Sequence, residues 1–129
     1  MSYTMKIEFS DGIPTLELRG KKTAEVAIEI WSSMRALIAE RKLEMPLVID
    51  EMDDEMSVWD VVDVEAHLRA SGFPLGASVA IVDRRLQQER NSNAFAELYM
   101  LNRGWHRIKA FETRERALAW LRPAGPREA

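Results

Sequence analysis

Two short, unbroken apolar runs constrain the fold of this chain more than any other feature of its sequence. The first run is Leu47 to Ile49, the second is Val79 to Val82, and an aspartate follows each of them. An unbroken run of this length is typical of a strand that is covered on both faces, as in the parallel centre of an α/β sheet. We therefore predict that the two runs are adjacent, buried central strands.

Apolar periodicity predicts the elements around this centre. Alternating residues over Met5–Phe9 and Leu16–Leu18 predict two strands, and the turn residues Ser10–Gly12 between them predict a hairpin. Spacings of three and four residues predict helices after the later strands. The predicted helices run from Thr23 to about Arg41, Ser57 to Gly72, Ser92 to Arg103 and Thr113 to Leu121, with a last strand at Ile108–Phe111. The second helix is expected to bury Val58, Val61, Val62 and Leu68, and the third Phe95, Leu98 and Leu101.

This order predicts an α/β fold: a mixed β-sheet with a leading hairpin, a parallel centre and about four helices. The length of 129 residues is usual for one domain. We expect a single domain over residues 1–122. Residues 123–129 are polar and rich in proline and glycine, so they are expected to form a flexible C-terminal tail.

Composition excludes several classes of protein. The net charge of −3 lacks the basic surplus that a nucleic-acid-binding protein needs to contact phosphates. No window approaches the run of about 20 apolar residues that a transmembrane helix requires. The N-terminus lacks the layout of a signal peptide, and the absence of cysteine is consistent with a reducing compartment. The expected location is the cytoplasm.

The chain also lacks the residue patterns of an enzyme. It has no nucleophile elbow, phosphate-binding glycine loop or zinc-ligand spacing. Its only histidines, His67 and His106, have no serine or carboxylate motif beside them, so neither is expected to act as a base. The acidic run from Asp50 to Glu55 lacks the residue order of a calcium loop. We expect a protein without catalytic activity, cofactor or metal.

Candidate binding residues follow the ends of the parallel strands, where α/β sheets usually bind ligands. Polar residues at this edge are Asp50, Asp53, Asp54, Asp83, Arg84 and Arg85. Met52, Met56 and Trp59 place adaptable and aromatic side chains among these charges, as contacts for an apolar ligand or a membrane surface. The alternative for these three is that they cover the core beneath a loop.

Ser57 has two interpretations. Asp60 follows it by three residues, so the pair fits a capping box in which the serine hydroxyl binds a free amide of the helix. A phosphate on Ser57 would be favoured by the helix N-terminus, but it would be repelled by Asp53, Asp54 and Glu55. The cap is therefore favoured over a phosphorylation switch.

Several segments resemble the SpoIIAA-like family, small bacterial proteins related to STAS domains. They are the leading hairpin, the Gly20–Thr23 entry to the first helix, the Ala80–Asp83 strand and the closing Phe111–Leu121 stretch. STAS domains of the anti-sigma-factor-antagonist type are non-enzymatic modules switched by phosphorylation of a serine at a helix start. Ser57 is the serine in that region, but the run Asp54–Trp59 departs from the Asp-Ser-Ser-Gly-like motif of the antagonists.

The resemblance implies two functions for a binding module. The SpoIIAA-like family is also similar to lipid-carrying folds of the Sec14 type, which implies a small apolar or lipid-like ligand and peripheral contact with a membrane. The alternative is a regulatory protein-interaction module that binds a protein partner. Assembly with further copies of the same chain is compatible with either function.

Overall fold

The computed structural model describes residues 3–10, 12–41 and 45–122. Its strands are β1 (Tyr3–Ser10), β2 (Ile13–Lys21), β3 (Leu47–Asp53), β4 (Val79–Val82) and β5 (Ile108–Phe111). Its helices are α1 (Ala24–Arg41), α2 (Val58–Ala70), α3 (Ser92–Asn102) and α4 (Arg114–Leu121). The tail predicted over 123–129 and residue 11 of the predicted turn lie outside the described residues.

The strands form one mixed sheet in the order β1-β2-β3-β4-β5. The β1–β2 pair is an antiparallel hairpin, and β2 to β5 are parallel neighbours. Leu47 pairs with Ala80, and Ile49 pairs with Val82. The predicted fold class and the adjacency of the two apolar runs are therefore confirmed.

Three helices lie on one face of this sheet. Each connection from β2 to β5 moves one strand further in the same direction, and right-handed crossovers then place α1, α2 and α3 on the same face. α4 follows the last strand and packs on the opposite face, against β3, β4 and β5. The sheet centre is therefore covered on both faces, which accounts for the unbroken apolar runs.

Side-chain alternation along the strands divides the core between the two faces. Val48 and Val79 belong to the cluster beneath α1, α2 and α3, whereas Leu47 and Ala80 belong to the cluster beneath α4. Trp105 is the largest fully buried side chain of the larger cluster, where its ring meets Phe73 edge-on.

The predicted apolar faces of α2 and α3 were partly wrong. α2 buries Val61 and Leu68 as expected, but Val58 is 51% exposed. α3 exposes Leu98 and Leu101 and turns Asn93 and Met100 inward instead. α3 is apolar on several sides, so its periodicity did not single out one face, and polar contacts made by Asn93 set its rotation.

Glu65 joins α2 to the segment that leads into β5. The Glu65 carboxylate is buried and accepts a hydrogen bond of 2.9 Å from the indole N–H of Trp105. Arg69 and Arg103 also contact it, at 3.0 and 3.3 Å. Burial alone would raise the pKa of Glu65, but the bonds from Trp105 and Arg69 and the nearby arginine charges outweigh burial and lower it.

Candidate functional site

Five polar side chains meet beneath the carboxyl edge of the sheet. Lys22 follows β2, Asp50 lies in β3, Asp83 follows β4, and Asn91 and Asn93 lie at the start of α3. All five are buried. They are called the buried polar cluster below.

Asp50 is the centre of the cluster on β3. Its Oδ2 accepts a hydrogen bond of 2.6 Å from Lys22 Nζ and one of 2.7 Å from Asn93 Nδ2. Its Oδ1 accepts the backbone N–H of Met52 at 3.0 Å. A buried carboxylate needs such partners because it has left its hydration shell. Asp50 therefore forms a structural ion pair with Lys22, and it is also one of the polar residues predicted at the carboxyl edge of the sheet.

Asp83, directly after β4, is the second buried carboxylate of the cluster. Its Oδ2 accepts hydrogen bonds of 2.9 Å from both Asn91 and Asn93, and its Oδ1 accepts the Arg85 backbone N–H at 2.9 Å. Burial alone would raise the pKa of Asp83. The three hydrogen bonds and the Lys22 charge outweigh that effect and lower the pKa, so Asp83 is a carboxylate at neutral pH.

The start of α3 is tied to the loop that precedes α2. Asn91 caps α3 by accepting the Ala94 N–H at 2.9 Å. Glu55 Oε1 accepts both the backbone N–H and the hydroxyl of Ser92, each at 2.8 Å. The Arg85 guanidinium donates to the Met52 carbonyl oxygen. These contacts fix the end of β3 and the loop that precedes α2 against the start of α3 and the segment after β4.

A cavity of about 80 Å³ lies between the sheet and the face of α1, α2 and α3. Met52 and Met56 line it, together with core residues such as Ile30 and Met100. Lys22, Asp50 and Asn93 also line it, so the buried polar cluster borders an apolar space. Trp59 is not among its lining residues.

Trp59 lies instead on the outer surface of the first turn of α2. Trp59 is 76% exposed as a residue, and it follows the exposed Val58 in the chain. Ser57 is the N-cap of this helix: its hydroxyl accepts the Asp60 N–H at 3.1 Å, and Asp60 accepts the Ser57 N–H at 3.2 Å. We call the exposed residues Ser57, Val58 and Trp59 the α2 tip.

The remaining predicted edge residues are not members of the buried polar cluster. Asp53 is the exposed last residue of β3, and Asp54 is exposed in the loop before the α2 tip, where it has a left-handed backbone with φ of 67°. Arg84 is exposed and lines a groove near the start of α4, together with Glu112, Arg114 and Asp50 of the cluster. The predicted polar edge thus comprises a buried cluster, exposed acidic residues before α2 and a groove that borders the cluster at Asp50.

The described residues contain no group of three or more histidine, aspartate or glutamate side chains arranged to hold a metal ion. Within the same residues, no helix has the length and apolar character needed to cross a membrane. His67 lies 3.0 Å from the Asp63 carbonyl oxygen of its own helix, and His106 is exposed near the start of β5.

Comparison with known proteins identifies the fold. An uncharacterised protein of the DUF3478 family with a SpoIIAA-like fold, from Shewanella loihica PV-4, matches with a TM-score of 0.51 and 22% identity, over 93% of this chain and 94% of that chain. This chain has a SpoIIAA-like fold. The phosphorylated form of SpoIIAA, a Bacillus cell fate determinant, matches with a TM-score of 0.47 and 14% identity, over 92% of this chain and 100% of that chain. No protein-family model and no curated protein matches the sequence.

Sequence reasoning missed three members of the buried polar cluster as site residues: Lys22, Asn91 and Asn93. A signal for Lys22 was present, because β2 is parallel to β3 and its carboxyl end therefore lies at the same edge of this SpoIIAA-like sheet. The Asn91-Ser92-Asn93 run was visible as a helix start, where asparagine is a preferred cap. Its contacts with two distant aspartates depend on tertiary structure.

Proposed function

We propose that this protein is a non-enzymatic protein-interaction module and that the α2 tip is its main contact surface. The observation that carries the proposal is the exposure of Trp59, at 76%, beside Val58 on a helix start that a capping box holds in place. Tryptophan is enriched among the residues that dominate binding at protein interfaces. The SpoIIAA-like fold is consistent with this class of function.

The charges around the α2 tip favour a protein partner over a membrane. Asp53 and Asp54 are exposed and precede it by a few residues, and Asp60 and Asp63 follow on α2. Anionic lipid surfaces repel such a rim, and the net charge of −3 adds to the repulsion. A partner that offers an apolar pocket flanked by lysine or arginine would complement both features.

Affinity purification of the full chain from its native cells, followed by native mass spectrometry, tests this proposal. The wild type should retain a stoichiometric partner, which is then purified and titrated in a defined system. Trp59→Ala should weaken that binding by about 30-fold or more, as truncation of a central interface residue does.

Phe9→Ala is the matched control, because Phe9 is another exposed aromatic residue, at the end of β1. It should leave the affinity unchanged. A partner that binds Trp59→Ala as tightly as the wild type would refute the assignment of the α2 tip. Binding to anionic vesicles that Trp59→Ala abolishes would point to membrane contact instead.

A second candidate function is binding of a small apolar ligand in the cavity. It is favoured by the lining of that cavity, in which Met52 and Met56 meet the core beneath α1, α2 and α3. Methionine side chains adapt to ligands of irregular shape. Since Trp59 lies outside the cavity lining, the two candidate functions use different surfaces and are separable by mutation.

A further inference from the structure

Lys22 is the first feature that points to the chemistry of a ligand. Its side chain is 5% exposed, and its ammonium group donates to Asp50 Oδ2 at 2.6 Å. An ammonium group has three N–H donors. Within the described residues, this bond to Asp50 is the only one that Lys22 Nζ makes. Because Lys22 lines the cavity, an acceptor placed there can take a second hydrogen bond from the ammonium group, beside the one to Asp50.

Asn93 supplies the complementary acceptor. Its amide nitrogen donates to Asp50 at 2.7 Å and to Asp83 at 2.9 Å, which fixes the orientation of the amide group. No described residue donates to its carbonyl oxygen, although Asn93 is buried and lines the cavity. Asn93 and Lys22 both contact Oδ2 of Asp50, so they are neighbours. One hydroxyl group can accept from the lysine and donate to the asparagine.

The charges of the cluster favour a neutral ligand. Asp50 and Asp83 are both buried carboxylates, whereas Lys22 is the buried cation that faces them. The guanidinium of Arg85 lies 3.8 Å from Asp83 and is partly exposed. A ligand carboxylate would therefore meet two buried negative charges, and a ligand amine would compete with Lys22 for Asp50.

The size of the cavity limits the apolar part of the ligand. Its volume of about 80 Å³ is far below what a long acyl chain occupies. An engineered cavity of about 150 Å³ holds benzene, so this one fits a body of about three or four carbon atoms before its walls move. Four methionines line it, Met34, Met52, Met56 and Met100, and their flexible side chains can admit a somewhat larger body.

We infer that the cavity binds a compact, neutral, apolar molecule with one hydroxyl group, which Lys22 and Asn93 recognise. The inference rests on the second candidate function, ligand binding in the cavity, and is independent of the α2 tip. The expected class of ligand for this cavity is thus a small alcohol and not a long-chain lipid.

Methionine methyl NMR of the full chain measures this binding directly. Propan-2-ol and propane-2-thiol have nearly the same shape, but sulfur is a weak hydrogen-bond partner. The alcohol should bind about tenfold more tightly, which is the effect of one hydrogen bond to a charged donor. Its addition should shift the methyl signals of Met52 and Met56 and leave that of the exposed Met45 unchanged.

Two variants locate the effect. Lys22→Met keeps an unbranched side chain without the ammonium group, and it should reduce the preference for the alcohol, since only Asn93 is left to bind the hydroxyl, while the thiol still binds. Ala96→Leu adds volume to a residue that lines the cavity, so it should abolish binding of both compounds. The wild-type comparison requires no variant, so it remains decisive if Lys22→Met does not fold.

The possible outcomes distinguish a failure of hydroxyl recognition from a failure of ligand binding in the cavity. Equal binding of alcohol and thiol to the wild type would overturn hydroxyl recognition and leave ligand binding in the cavity intact. Binding of neither compound would overturn the second candidate function itself. Tighter binding of isobutyrate than of propan-2-ol would contradict the preference for a neutral ligand.

Discussion

Replacement of Asp83 by asparagine tests the buried polar cluster most severely. Asp83 is 1% exposed, and its carboxylate accepts three hydrogen bonds, from Asn91 Nδ2, Asn93 Nδ2 and the Arg85 backbone N–H. An asparagine keeps the shape but turns one acceptor oxygen into a donor. At least one of these contacts then joins two donors.

The expected loss follows from the number of bonds affected. If the new carbonyl oxygen keeps the Arg85 N–H, the bonds from Asn91 and Asn93 to Oδ2 are lost, although each amide keeps one other acceptor, Arg85 O or Asp50 Oδ2. Hydrogen bonds to a charged group contribute about 1.5 to 3 kcal/mol each, and the remaining acceptors offset part of the loss. Asp83→Asn should therefore lower the free energy of unfolding by about 2 to 4 kcal/mol, a range that rests on these bond strengths.

Urea denaturation at pH 7 measures this loss, and Asp53→Asn is the matched control because Asp53 is exposed. The control should change the free energy of unfolding by less than about 0.5 kcal/mol, as surface substitutions usually do. A loss for Asp83→Asn as small as that of the control would refute the cluster as a source of stability.

The difference between wild type and Asp83→Asn should also depend on pH. The folded-state pKa of Asp83 is lowered, so its contribution is fully present above the unfolded value of about 3.9 and is lost as pH falls through the folded pKa. The two proteins should therefore converge in stability in acid. A gap that stays constant down to the folded pKa would contradict a charge-dependent role for Asp83.

Variants at two further positions, Ser57 and Glu65, test the contacts that hold α2 in place. Ser57→Ala should lower the free energy of unfolding by about 0.5 to 2 kcal/mol because it removes the cap, and Ser57→Asp should lower it much less. Equal melting temperatures for wild type and Ser57→Ala would contradict the cap and favour the phosphorylation switch instead. Glu65→Ala should cost about 1 to 3 kcal/mol because the buried Trp105 N–H loses its acceptor. Arg69 and Arg103 are partly exposed, so water can solvate their guanidinium groups once Glu65 is removed. A loss of stability in thermal unfolding that lies well above the range of about 1 to 3 kcal/mol would therefore show that the arginine ion pairs contribute more than the indole hydrogen bond.

The fold was predictable from the sequence because local patterns and tertiary structure agree in the sheet. Unbroken apolar runs identified β3 and β4, and alternation identified the hairpin. The faces of α2 and α3 were less predictable, since Val58 and Leu98 continue apolar patterns but lie outside the core. An exposed apolar side chain has the same sequence signature as a buried one, so sequence patterns predict the residues of an interaction surface as core residues.

The candidate site was predictable in position but not in composition. The rule that parallel sheets bind at their carboxyl ends led to Asp50 and Asp83. The rule did not predict that Lys22 and Asn93 bind the buried Asp50 carboxylate. These contacts join residues 28 positions apart for Lys22 and 43 positions apart for Asn93. Contacts of that range depend on strand order and on the rotation of α3.

The most direct test of the proposed function is photo-crosslinking from position 59 in the native cell. A photoreactive phenylalanine analogue replaces Trp59 in one variant and Phe9 in a control variant, both at exposed aromatic positions. The account predicts one discrete adduct with a different protein from position 59 that is absent from position 9. No protein adduct from position 59, or the same adducts from both positions, would contradict an interaction surface at the α2 tip.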